Sequence, residues 1–214
     1  MCGIIGVISK DKYSVKKALE MLKRLEYRGY DSVGYVTSNG KIIKSVGKVD
    51  NLLSKCDSEE ANIIIAHTRW ATHGKVNEIN AHPHFDCEKN IFIVHNGTIE
   101  NFEELKKELE SLGHKFVSET DSEIFAHFFE QRLKENRSIK EIAKEIFERF
   151  KGTYAVLIYI KNLNKVIAIK NGSPLLIGIS ENKIFFASDA YAFSEETNKV
   201  IVLDDYNFVE VDLA

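Results

Sequence analysis

The order of its apolar runs constrains this chain more than any other feature. Strand-length apolar stretches come in groups, at 3–9, 33–37, 41–46, 63–68 and 91–95, and again after Gly152 at 154–160, 166–169, 175–179, 184–187, 200–203 and 208–211. Helical patterns also come together. One follows Ser14 with Val15, Ala18, Leu19, Leu22 and Leu25 on one face, and one follows Asn101 and stops at Gly113. A third opens at Thr120, where Thr120-Asp121-Ser122-Glu123 has the form of a capping box, and a fourth opens at Ser138 with Glu141 three residues on. Strict strand–helix alternation, the signature of a parallel sheet, is missing. The pattern predicts an α+β fold of antiparallel sheets with helices layered on them. Hairpin turns are expected at Ser38-Asn39-Gly40, Asn162-Leu163-Asn164 and Glu181-Asn182.

Nothing divides the chain. It has no internal repeat, no low-complexity stretch and no Pro/Gly/Ser-rich linker, and its two prolines, Pro83 and Pro174, fall in loops, so residues 1–214 are expected to form a single domain. With 44% hydrophobic residues a chain of this length can bury a core without disulfide or metal staples. A net charge of -3 gives no electrostatic case for nucleic acid or an anionic membrane as a partner. Cys2, Cys56 and Cys87 are odd in number and form no CxxC pair, which fits a reducing compartment. Runs such as Ile63-Ile64-Ile65-Ala66 fall far short of the ~20 residues a membrane span needs, and the N-terminus has no secretory signal. A cytoplasmic location is the expectation.

Four places carry chemistry. Cys2 becomes the N-terminus once Met1 is removed, which puts a thiol and a free α-amine on one residue. Their reference pKa values, about 8.5 and about 7.7–8.0, let the amine take the thiol proton near neutrality. The alternative is a small buried hydrophobe opening a strand. Arg69, leaving the strand 63–68, is placed to grip a carboxylate bidentately, or else to sit on the surface beside a packed Trp70. Asn96-Gly97 follows another apolar strand and offers an amide and a flexible N–H as oxyanion donors, or else simply makes a turn. Asp121 offers an anion for an amine, or else a favourable charge in the first turn of its helix. Together the four match the needs of a free amino acid amide: a cation for the α-carboxylate, an anion for the ammonium, a nucleophile for the amide carbon and donors for the oxyanion. His67, His73, His82, His84 and His95 could in principle make a metal site. With no H-E-x-x-H and no paired CxxC, neither a metal nor a cofactor is expected.

Six ordered motifs then carry a family resemblance over the whole chain. They are Cys2-Gly3-Ile4-Ile5-Gly6, Leu25-Glu26-Tyr27-Arg28-Gly29-Tyr30-Asp31-Ser32, the block 67–74, Asn80-Ala81-His82-Pro83-His84, the block 95–101, and Ser118-Glu119-Thr120-Asp121-Ser122-Glu123. In these the chain resembles the glutaminase domains of class II glutamine amidotransferases, those of the glutamine–fructose-6-phosphate aminotransferases above all. The resemblance implies the four-layer αββα fold of N-terminal-nucleophile hydrolases. It implies Cys2 as nucleophile with its α-amine as base, Asn96 and the Gly97 N–H as oxyanion hole, and Arg69 and Asp121 holding the α-groups of glutamine. Thr72 and His73 would complete the pocket, Arg28 and Gly29 would position the N-terminus, and the 69–73 loop with Trp70 would close over the substrate. The alternatives are the glutaminase domain of a phosphoribosyl or asparagine-forming amidotransferase, or an amino-acid-binding module in which Met1 is retained. A sugar-phosphate isomerase domain is the expected partner if the natural chain continues past Ala214. Without it, glutamine would be hydrolysed to glutamate and ammonia, with no transfer of nitrogen.

Overall fold

A computed structural model describes residues 1–213. In chain order its strands are β1 (Gly3–Ser14), β2 (Ser32–Thr37), β3 (Ile42–Val46), β4 (Glu60–Arg69), β5 (His84–Phe85), β6 (Ile91–Ile99), β7 (Gly152–Ile160), β8 (Lys165–Asn171), β9 (Leu176–Ile179), β10 (Lys183–Ala187), β11 (Val200–Val202) and β12 (Asn207–Asp212). Its α-helices are α1 (Val15–Lys23), α2 (Asp50–Leu53), α3 (Phe102–Ser111), α4 (Glu123–Lys134) and α5 (Ile139–Arg149). The strands form two sheets, a seven-stranded one in the order β11-β9-β10-β1-β4-β2-β3 and a five-stranded one in the order β12-β8-β7-β6-β5. The ladders between neighbours are antiparallel, as the sequence pattern predicts.

Strand alternation generates the layers. Ile4 and Ile8 of β1, Val36 of β2, and Ile63 and Ile65 of β4 point inward, where they meet Phe92, Val94, Ala155, Leu157, Tyr159, Val166 and Ala168 of the second sheet. The intervening residues Ile5, Val7, Ile64 and Ala66 point outward, against Val15, Ala18, Leu19 and Leu22 of α1. The outer face of the second sheet, with Ile93, Val156, Ile158 and Ile167, is covered by Leu105, Phe125, Phe128, Phe129 and Ile142 of α3–α5. Two sheets face to face, each with a helical cover, make the α–β–β–α stack. Burial on both faces explains why these strands read as unbroken apolar runs rather than alternating ones.

The helix caps follow the sequence at two ends and depart from it at a third. Ser14 Oγ accepts from Lys17 N, and Ser138 with Glu141 forms a full capping box. The box read at Thr120 does not form. Helix α4 begins three residues later, with Ser122 at its N-cap making no side-chain cap hydrogen bond. Glu123 instead accepts from the N–H groups of Val117 and Ser118, and Thr120 Oγ1 bonds Ser118 and His84. Tertiary partners outcompete the local cap, and Asp121 is left outside the helix. Among the described residues, no helix is long and apolar enough to cross a membrane.

Candidate active site

Cys2 lies immediately before β1, whose Gly3 pairs with Thr68 at the far end of β4. Gly3 N donates to Thr68 Oγ1, and Ile4 N donates to Ser188 Oγ. These two hydroxyls fix the backbone that carries the cysteine, and neither was singled out from the sequence. The thiol sits against the next turn of chain: Cys2 Sγ accepts from Trp70 N at 3.1 Å and donates to Trp70 O at 3.6 Å. Burial pushes the Cys2 thiol above its ordinary range, an effect offset in part by the Trp70 hydrogen bond, the terminal ammonium and Arg69. With Met1 attached, the Cys2 nitrogen is a peptide nitrogen and the free ammonium belongs to Met1, which donates to Arg28 O at 2.7 Å. The Arg28 guanidinium in turn reaches Ser188 O and Met1 Sδ. Gly29 has φ of 109°, and a Cβ there would lie 2.9 Å from the Trp70 ring, so only glycine lets the indole stand beside the N-terminus.

From the opposite sheet comes Asn96. Asn-Gly makes no turn here; β6 runs on to Ile99 and pairs Asn96 with Ala155 and Gly97 with Tyr154. Gly97 has φ of 125°, and a Cβ would fall 2.1 Å from Thr153 O, which no side chain tolerates. Asn96 Nδ2 donates to Cys2 O at 3.1 Å, and Asn96 Oδ1 lies 3.0 Å from His67 Nε2. His67 Nε2 also lies 3.1 Å from His95 O, so it carries the proton and donates to both oxygens. That donation forces the amide nitrogen toward Cys2. The sequence marks His67 as a candidate metal ligand and as the first residue of the block 67–74, with no role in orienting Asn96.

His82, His84 and His95 pack with His67 as buried neutral rings, while His73 stands apart, half-buried against Phe102. His67 and His82 stack with centroids 3.9 Å apart, and His82 and His84 lie 4.5 Å apart. His82 Nδ1 accepts from His95 N, and His95 Nδ1 bonds Ser122 Oγ. Burial holds His67 at about 3 and keeps His82, His84 and His95 below the ordinary histidine value. They join β4 and β6 to the segment carrying Asp121.

A cavity of about 320 Å³ opens beside Cys2, walled by Met1, Arg28, Trp70, Asn96, Gly97 and Pro174 among others. A narrower one of about 20 Å³ shares Cys2, Trp70, Thr72 and Gly97 with it and ends on Arg69, His73 and Asp121. Arg69 is 4% exposed. Its guanidinium donates to the carbonyls of His73, Gly74 and Lys75 and thereby shapes the loop that follows it. No carboxylate among the described residues forms an ion pair with it. Asp121, 3% exposed, accepts from Ile99 N at 2.8 Å and likewise has no cationic partner among the described residues. A buried cation and a buried anion, each without a counter-ion in one narrow pocket, are complementary to a zwitterion. Thr72 is exposed, and Trp70, 53% exposed, is not packed away. Asp31, also missed, ties this loop down: its Oδ2 accepts from Ala71 N, and its own N–H donates to Arg69 O.

The chain belongs to the glutamine amidotransferase domain family, whose model matches residues 67–195. Among its relatives are the isomerizing glutamine–fructose-6-phosphate aminotransferases of Thermococcus kodakarensis, 48% identical over 211 residues and 96% of this chain, and of Sulfurisphaera tokodaii, 45% identical over 212 residues and 96% of this chain. The chain spans only 35% and 36% of those two relatives. The glutamine phosphoribosylpyrophosphate amidotransferase of B. subtilis shares the fold, with a TM-score of 0.77 at 23% identity over all of this chain and 49% of that one. A glutamine aminotransferase class-II domain protein from Silicibacter pomeroyi superposes with a TM-score of 0.64 at 12% identity, over 99% of this chain and 95% of that one.

Proposed function

We propose that this chain is the glutaminase unit of a glutamine–fructose-6-phosphate aminotransferase, hydrolysing glutamine to glutamate and ammonia. The observation that carries the reading is the juxtaposition, around Cys2, of an amide donor and an unpaired Arg69/Asp121 couple. The glutamine α-carboxylate meets Arg69 and its ammonium meets Asp121, which leaves the side-chain amide directed back at Cys2. After removal of Met1 the Cys2 α-amine accepts the thiol proton, and the thiolate attacks the amide carbon. Burial raises the thiol pKa, so a base on the same residue is what this mechanism requires. Asn96 Nδ2 and the Gly97 N–H take the developing oxyanion. The ammonium formed at Cys2 protonates the amide nitrogen, which leaves as ammonia as the C–N bond breaks and the thioester forms, and water then releases glutamate from the thioester. Arg28 and Gly29 hold the N-terminal residue, and Thr72, His73 and Trp70 form the side that closes over glutamine. The curated relatives support delivery of the ammonia to a sugar-phosphate isomerase domain.

Intact mass and ammonia release on the purified chain test this reading. Protein lacking Met1 should release ammonia from glutamine, and an electrophilic glutamine analogue should add once, on the peptide beginning with Cys2. Protein free of Met1 that bound glutamine and released no ammonia would leave only an amino-acid-binding module.

A further inference from the structure

Away from the cavity, four side chains from three separate segments turn their donor atoms toward one point. Cys87 sits in the loop between β5 and β6, His114 just beyond α3, and His127 and Glu130 one turn apart on α4. The four donors all lie within 4.8 Å of one another. The two Nδ1 atoms are 3.1 Å apart, Glu130 Oε1 lies 3.0 Å from His114 Nδ1 and 3.5 Å from His127 Nδ1, and Cys87 Sγ lies 3.8 and 3.5 Å from the same nitrogens. A tetrahedral zinc ion with its usual bond lengths spaces nitrogen and oxygen donors about 3.3 Å apart, and sulfur and nitrogen about 3.6 Å apart.

The outward-facing ring atoms explain why this convergence needs a cation. His127 Nε2 is 2.8 Å from a Glu123 carboxylate oxygen, and His114 Nε2 is 2.8 Å from Gln131 Oε1. Both acceptors require a proton on Nε2. Each Nδ1 is then a lone pair, and the two lone pairs face each other, a carboxylate and a thiol. Rings held from behind by a carboxylate and an amide, with Nδ1 free, are the arrangement that orients histidine ligands on a metal. We propose that Cys87, His114, His127 and Glu130 bind a divalent ion of the zinc class in a closed, four-ligand structural site. With a thiolate and a carboxylate the loaded site is electrically neutral. It clips the loop before β6 and the end of α3 onto α4. Through Glu123, which also accepts from Val117 N and Ser118 N, it anchors the segment leading to Asp121. Spacing could not reveal it, because the ligands fall at 87, 114, 127 and 130 and resemble no short metal motif.

Cobalt(II) is the probe. The chain, stripped with chelator and kept reduced without oxygen, should bind one Co²⁺ with the visible absorption of tetrahedral coordination and a near-ultraviolet thiolate-to-cobalt band, and Zn²⁺ should displace it. Cys87→Ser, a change at an exposed position, should remove the thiolate band and weaken binding by at least about a hundredfold. Glu123→Gln should weaken it roughly ten- to a hundredfold while keeping the band. Cys2→Ala, which removes the other thiol able to pair with an amine, should leave spectrum and affinity unchanged. Far-ultraviolet circular dichroism checks that each variant is folded. Absence of a one-to-one tetrahedral species in the folded parent chain would show that a proton, not a metal, sits between the rings. A band that survived Cys87→Ser and vanished in Cys2→Ala would put the ion at the N-terminus. Either result overturns the proposal.

Discussion

The two ends of the cavity are built on opposite rules. At the chemical end nearly every polar atom already has a protein partner: the Cys2 thiol has both polar atoms of the Trp70 backbone, and Asn96 spans Cys2 O and His67 Nε2. At the recognition end the two charged side chains are buried, with no ion pair among the described residues. The first end holds its geometry before substrate arrives, which suits groups that must meet a transition state within fractions of an ångström. On the proposed function, the second keeps its charges for the substrate, whose α-groups would neutralise both. The difference separates reactivity from affinity, and each can be perturbed without the other.

The largest effect is expected at the chemical end. Cys2→Ala should lower ammonia release by roughly 10⁴-fold or more, to background, because nucleophile and activating amine act as a unit. Cys56→Ala, at a buried thiol far along the chain, should leave it intact; substantial turnover by Cys2→Ala, measured on intact-mass-verified protein, would sink the assignment. Next comes the recognition end. Arg69→Ala or Asp121→Ala each strips a charged partner from a charged substrate, worth about 1.5–3 kcal/mol, so kcat/KM should fall about ten- to a hundredfold or more. Alkylation of Cys2 by a small uncharged reagent should keep its rate. If Arg69→Ala slowed that alkylation as much as it slowed glutamine turnover, the two ends would not be separable, and Arg69 would act only through the loop carbonyls it holds.

His67→Leu sharpens the comparison from the other side. It removes the donor that orients Asn96 without touching the charged pair, so kcat should fall roughly tenfold while KM moves little. Partial rescue by His67→Gln, which keeps an N–H, would mark orientation as the cause. Equal losses in kcat and KM with no rescue would mean that the ring merely packs.

The smallest effect is on stability. His67, held at about 3 by burial, and His82, His84 and His95, also held below their ordinary value, stay neutral in the folded chain. The unfolded chain takes up those protons as the pH drops through about 6.5. The stabilisation is therefore complete above that value and declines below it, by up to about 1.4 kcal/mol per pH unit for each histidine, until the folded form also protonates, near 3 for His67. Thermal unfolding should accordingly move to lower temperature between pH 7 and pH 5, and less so in His67→Gln. A midpoint independent of pH over that range would mean that these rings are not buried neutral.

Much of the architecture was legible because it rests on local rules. The runs around Ile4, Ile64 and Leu157 read as strands because both faces of their sheets are covered. Ser138 read correctly as a cap because its partner Glu141 is three residues away. Thr120 read wrongly because its hydroxyl and Glu123 found partners at His84, Val117 and Ser118 instead. Asn96-Gly97 looked like a turn in isolation because the dipeptide favours one; the cross-sheet ladder to β7 holds it extended.

The sequence by itself determined the antiparallel layering, the helix faces, and the identity of Cys2, Arg69, Asn96 and Asp121 as residues of interest. Periodicity and residue chemistry are written along the chain and need no partner to be read. Only the tertiary structure decided what each of them touches: that His67 turns the Asn96 amide toward Cys2, that Arg69 and Asp121 share a pocket with neither ion-paired among the described residues, and that Cys87 converges with His114, His127 and Glu130. These are contacts between segments from 13 to 94 residues apart, set by how two sheets and their helices stack. That stacking follows from burying apolar surface everywhere at once, so no single motif encodes it.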